Sequence, residues 1–184
     1  GTYTIKFKGP QTVALGLIAG TPGSITGRTY DAATEENTIL LSFPEGGNNM
    51  FLSFTGTQGK VKDLRIIRPG YDASNPPTFT TRFLNHISRF STLRFMDWMS
   101  INDAKTATTW ADRPSPVTKH AVGQIGMSPG MTWEHAIELA NVSASDMWIN
   151  IPTGADANYI RQLARLIKST LAPNLKVYVE YSNV

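Results

Sequence analysis

Four tryptophans, one glutamate in an apolar run and two Asp–Arg neighbours are the residues of this chain whose types suit chemistry. Trp98, Trp110, Trp133 and Trp148 each carry an aromatic face of the kind that meets the apolar C–H face of a pyranose, although tryptophan is more often core than platform. Glu180 lies in KVYVEYSNV (176–184), which reads as a strand, so it shares a side with Tyr178 and Ser182 while Val179 and Tyr181 face away. Glycoside hydrolysis needs two carboxyl groups facing each other across a cleft, ~5 Å apart for retention and ~6.5–9.5 Å for inversion. One strand cannot supply both, so Glu180 reads as a substrate-orienting group or, more simply, a buried salt-bridged one. Asp97 beside Arg94, and Asp112 beside Arg113, are either sugar-hydroxyl clamps or ion pairs, and the ion pair is the preferred reading for Asp112 with Arg113.

Other chemistries lack their residues. His86, His120 and His135 are isolated and miss the spacing of a metal site, and there is no cysteine to act as thiolate ligand, nucleophile or disulfide. No Gly-x-Ser-x-Gly elbow, phosphate loop or dinucleotide fingerprint occurs. GQIGMSPG (123–130) is only a loop by that test. The sequence therefore calls for no metal and no cofactor. Asn141-Val142-Ser143 fits the glycosylation triplet, a pattern that arises often by chance.

These residues need elements to hold them, and the chain changes texture near residue 70. In GTYTIKFKG, Tyr3, Ile5 and Phe7 alternate with Thr4, Lys6 and Lys8, the period of a half-buried strand. Further short strands are expected at 12–20, 24–32, 38–43, 50–56 and 61–69, separated by Pro-Gly, Glu-Gly-Gly and Gln-Gly turn signals. Six strands with no helix between them predict an antiparallel sandwich or small barrel, and 1–69 is read as a β-sandwich domain. PGYDASNPPTF is proline-rich and aperiodic, so 70–78 reads as an extended linker.

From residue 79 the pattern alternates. TRFLNHISRF suggests a short helix, and LRFMDWM (Leu93–Met99) a strand. TWEHAIELANVS has Thr132 placed as an N-cap and Glu134 in the first turn; DANYIRQLARLIKSTL spaces Tyr159, Leu163, Leu166 and Ile167 helically behind Asp156. Met147–Ile151 and Lys176–Ser182 complete a series of strands expected to be parallel, with right-handed crossovers. The fold class is thus a mixed β and α/β protein, with 79–184 forming a partial (β/α) barrel of the eight-stranded type. Three strands cannot close that barrel, and the last would present an unpaired edge rich in Val and Tyr. A further piece of chain or a neighbouring subunit is expected to complete it. The other architecture is a small open sheet with a covered edge.

Composition bounds the partners. A net charge of +3 spread over 17 scattered Lys and Arg residues gives no nucleic-acid footprint. No apolar run approaches the ~20 residues of a membrane span. With 41% apolar and 17% charged residues, the chain reads as folded rather than disordered.

The run LRFMDWM, then TTWADRPSP (Thr108–Pro116), MTWEHAIELAN and MWINIPTGADANYIRQLARLIKSTLAPNLKVYVEYSN resembles bacterial extracellular cellulose-binding and glycoside-hydrolase-like proteins. More distantly it is similar to the early barrel strands of clan A glycoside hydrolases such as the arabinofuranosidases. The likeness covers about residues 79–183. It implies a β-sandwich beside a (β/α) barrel whose sugar cleft lies at the carboxyl ends of the strands, the location general to such barrels. Asp97, Trp98, Trp110, Asn150, Glu180 and Asn183 are then the candidate polysaccharide-binding residues. In that group the segment continues Glu-Tyr-Ser-Asn-Glu, and the proposed acid falls where Val184 stands here, so no catalytic residue is expected in this chain. The expected function is a part of a secreted carbohydrate-active protein, hydrolase-like or polysaccharide-binding. A structural subunit of an extracellular fibre or cell-surface layer, completed by identical neighbours, is the competing expectation.

Overall fold

The computed structural model describes residues 1–46, 49–102, 107–116 and 130–182, in two compact units, Gly1–Thr78 and Phe79–Val184. In the first unit, β1 (Thr2–Lys8), β3 (Ser24–Asp31), β4 (Glu36–Ser42) and β6 (Lys62–Ile67) form an antiparallel sheet in the order β3-β4-β1-β6. A ribbon of β2 (Ala14–Leu17) and β5 (Leu52–Thr55) is the second sheet. Alternation along the strands sends Ile5, Phe7, Ile39 and Leu41 to one side, where they bury together with Val13 and Leu15 of the ribbon segment. Phe7 meets Phe54 of β5 edge-on at 5.4 Å. Arg28 of β3 satisfies two carbonyls at the start of β2, donating from Nη1 to Val13 O at 3.0 Å and from Nη2 to Leu15 O at 3.5 Å.

The second unit contains α1 (Thr81–Ile87), β7 (Thr92–Arg94), α2 (Trp133–Ser143), β8 (Asp146–Ile151), α3 (Ala157–Thr170) and β9 (Val177–Tyr181). The strands pair parallel in the order β7-β8-β9, with Leu93 opposite Met147, and Met147 opposite Val177. The helices start where side-chain oxygens are available for orphan N–H groups. Thr80 accepts from Phe83 N, Thr132 from His135 N and Asp156 from Tyr159 N.

Packing in this unit is one-sided. Met147, Ile149 and Ile151 of β8 are buried with Trp133, Ala136, Ile137 and Ala140 of α2 and Tyr159 and Leu163 of α3, and Leu84 and Ile87 of α1 pack against the same cluster. The alternate residues of β8, Trp148 and Asn150, point to the opposite face, which carries no helix among the described residues. Sequential strand order with helices gathered on one face differs from a doubly wound sheet, which needs helices on both. The sheet is open among the described residues, and no closed barrel is present.

One expected element is much shorter. The sequence predicts a continuous strand over Leu93–Met99, yet pairing stops at Arg94, and the chain then coils: Met99 N–H reaches Phe95 O at 3.0 Å and Ser100 N–H reaches Asp97 O at 3.0 Å. A run of apolar residues this short does not distinguish strand from turn, and burial of Phe95, Met99 and Ile101 on one side decides for the turn. Asn141 of the glycosylation triplet also has another use. Its Nδ2 donates to Thr170 O and its Oδ1 accepts from Ala172 N, at 2.9 and 2.8 Å, so it caps the carboxyl end of α3. Among the described helices none is long and apolar enough to cross a membrane.

Candidate functional site

Parallel pairing puts Arg94, Trp148 and Tyr178 in one row across the three strands, and Asn150 opposite Glu180 in the next. All face away from the helices. The row converges on one atom. Glu180 Oε2 accepts from Arg94 Nη2 at 2.8 Å, Asn150 Nδ2 at 2.8 Å and Trp148 Nε1 at 3.0 Å. The Arg94 guanidinium lies over the Trp148 ring, 4.8 Å from its centroid, a cation–π contact. Glu180 was expected to be a buried salt-bridged residue; it is salt-bridged, but its side chain keeps 37% exposure. Trp148 is 40% exposed, against the usual burial of tryptophan.

The hydrogen bonds set the charge state. Donation from Arg94, and next from Asn150, holds the Glu180 carboxyl below its ordinary value against a smaller opposing effect of burial; Trp148 adds to the lowering. A carboxyl so held is ionised at neutral pH. It accepts hydrogen bonds and is the opposite of a general acid, whose pKa must be raised.

Asn150 is 1% exposed and uses both amide protons, the second on Ser182 O at 3.0 Å. Its Oδ1 is buried with no hydrogen-bond partner among the described residues. Ser182 Oγ and Thr153 Oγ1 lie 2.8 Å apart, and Tyr181 Oη donates to Thr153 O at 3.0 Å.

The structure therefore brings together Asn150 and Glu180 of the candidate residues and joins to them Arg94 and Trp148, which the sequence offers only as a partner for Asp97 and as one of four aromatic faces, outside the candidate polysaccharide-binding set. Asn183 lies outside the described residues, as do Val184 and His120. Asp97 is exposed in the turn after β7, while Arg94 binds Glu180. Trp98 is half-buried against Phe79 and Phe95, with centroids at 6.3 and 5.9 Å. Trp110 belongs to a separate loop clamp. Arg113 covers its ring at 3.9 Å, and Tyr159 meets it edge-on at 5.5 Å.

The ion pair expected between Asp112 and Arg113 is made otherwise: Arg113 Nη2 bonds Glu134 Oε1 at 2.6 Å, and Asp112 accepts from Thr109. Glu134 sits in the first turn of α2, so this pair ties the loop to the helix. Tyr159 Oη accepts Trp133 Nε1–H at 2.7 Å. Burial pushes the Tyr159 phenol up, the Trp133 hydrogen bond opposing it. Among the described residues no group of three or more His, Cys, Asp or Glu side chains could hold a metal ion.

Comparison of the chain with protein-family models, with curated proteins and with solved structures finds no match.

Proposed function

We propose that this chain is part of a secreted carbohydrate-active protein, hydrolase-like or polysaccharide-binding, in which Phe79–Val184 is one arc of a (β/α) barrel and the helix-free sheet face receives the polysaccharide. The observation that carries this reading is the pairing on that face of an exposed indole, Trp148, with an ionised carboxylate, Glu180. An indole offers a flat apolar surface to sugar C–H groups, and the carboxylate accepts hydroxyl hydrogen bonds. Oε1 of Glu180 takes no hydrogen bond from the described residues, which leaves it to a ligand. Glu180 binds in this scheme and donates no proton. The resemblance of residues 79–183 to extracellular glycoside-hydrolase-like proteins supports the same reading, as does the helix-on-one-face arrangement.

A second reading draws on β9. Val179 and Tyr181 are 64% and 66% exposed on this edge strand, and an edge with such residues suits pairing with another strand. A fibre or surface-layer subunit joined to its neighbours along β9 would use it so.

Retention on insoluble cellulose, xylan and mannan separates the two. Wild-type protein is expected to be retained on at least one, and Trp148→Ala to weaken retention at least ~5-fold, the scale of ~1 kcal/mol for an aromatic contact. Trp148→Phe keeps a ring and should retain most of the binding. Equal retention of wild type and Trp148→Ala, or no retention of either, would remove this face as the sugar site; concentration-dependent polymer growth in sedimentation would then favour the fibre reading.

A further inference from the structure

Ser182, directly after β9, has φ 63, and it is 8% exposed. Side-chain-bearing residues rarely adopt this left-handed conformation, because Cβ crowds the following carbonyl. Glu35, Gln58 and Asp63 also do so at exposed positions, Ala144 does so as the C-cap of α2, and Ser100 does so, 9% exposed, in the turn after β7. At Ser182 the kink is buried and held from every polar atom. Its N–H donates to Ile151 O at 3.0 Å, its carbonyl accepts from Asn150 Nδ2 at 3.0 Å, and its hydroxyl pairs with Thr153 Oγ1 at 2.8 Å. The other Asn150 amide proton goes to Glu180 Oε2 at 2.8 Å.

We propose that Asn150 is a positioning residue: through its one carboxamide the charged Glu180 side chain latches the left-handed backbone kink at Ser182. The kink lies at the carboxyl end of the parallel strands, where ligands of α/β folds bind. Strain of this kind persists only when its surroundings over-determine it, and it concentrates at sites where geometry must be fixed. Glu180 supplies the anchor. Arg94 and Trp148 fix its Oε2, Asn150 is thereby oriented, and no rotation of the amide would serve better, since both of its partners are acceptors. The device does not depend on what the protein binds.

Hydrogen exchange tests it without any ligand. The Ser182 amide reports the latch, and the Met147 amide, bonded to Lys176 O at 2.9 Å at the other end of the same strand pair, reports general loosening. Asn150→Ala is expected to speed exchange at Ser182 at least about tenfold more than at Met147. Glu180→Gln, a change at a half-exposed position that preserves shape, should do the same to a smaller degree and keeps the test available should Asn150→Ala fail to fold. Independently, Ser182→Gly should melt above Ser182→Ala by a few degrees, because both lose the hydroxyl and glycine alone tolerates the kink. Exchange at Ser182 that is unchanged in Glu180→Gln, or that rises only in step with Met147, overturns the latch. A Ser182→Ala protein as stable as Ser182→Gly overturns the kink itself.

Discussion

Trp133→Ala is expected to destabilise the Phe79–Val184 unit by about 3–5 kcal/mol, the cost of emptying a large aromatic site in a packed core. Trp133 is 1% exposed and opens α2, where it lies in the cluster shared by α2, α3 and β8. The loss has a second part: Tyr159, 3% exposed, would forfeit the 2.7 Å hydrogen bond to its hydroxyl in a place water does not reach. Single domains hold only ~5–15 kcal/mol in total, so much of this unit's margin goes at once. By thermal melting the transition of this unit should fall by at least ~12 °C, at ~4 °C or more per kcal/mol for a domain of this size. Trp133→Phe, which keeps most of the volume and loses the N–H, should fall much less. A Trp133→Ala protein melting within ~3 °C of wild type would mean that the three elements do not share this core.

Glu134→Ala is expected to cost about 2–4 kcal/mol, whereas the double change Arg113→Met with Glu134→Leu should cost well under half of that. Arg113 and Glu134 are 15% and 27% exposed and 2.6 Å apart, so removing one leaves the other charged, poorly solvated and alone. Arg113 has the added role of covering Trp110, and its Nε is buried without a partner among the described residues even in the intact pair. An orphaned guanidinium would withdraw toward water and uncover the Trp110 ring, loosening the loop at 107–116. Replacing both partners by apolar side chains removes the desolvation cost along with the attraction. Denaturant melts of Arg113→Met, Glu134→Leu and their double form a thermodynamic cycle. Additive losses would show that the pair is merely a surface contact.

Much of the element order could be read from the chain because local signals agreed with tertiary demands. Ile5 and Phe7 alternate with lysines and are the buried residues of β1; Thr132 and Asp156 stand before apolar helical stripes and cap α2 and α3. Where local pattern is neutral, tertiary contact decides. Leu93–Met99 carries no periodicity that separates strand from turn, and its end was set by burial of Phe95 and Met99. Arg113 has an acidic neighbour one residue away, but adjacent side chains diverge, and its partner came from 21 positions along the chain.

The site itself was legible only in part. Asn150 and Glu180 could be chosen because the resemblance puts the cleft at the carboxyl ends of the strands, where both stand, and the pairing places them opposite each other. Arg94 is 86 positions from Glu180, and nothing in its surroundings announces that distance. Trp148 alternates with Met147 and Ile149 just as a core residue would alternate with a solvent-facing one, and only the one-sided placement of the helices tells which face is which. Glu180's ionised state likewise depends on donors 30 to 86 positions away.

Titrating soluble cello-, xylo- and manno-oligosaccharides while recording the proton–nitrogen correlations of the tryptophan side chains tests the sugar-binding face most directly. The Trp148 Nε1–H, bonded to Glu180 at the exposed face, should shift progressively and saturate with at least one sugar series, while the Trp133 Nε1–H, buried against Tyr159, stays in place. A Trp148 signal unmoved by every series, or sugar-induced shifts confined to residues off the helix-free face, would contradict the account.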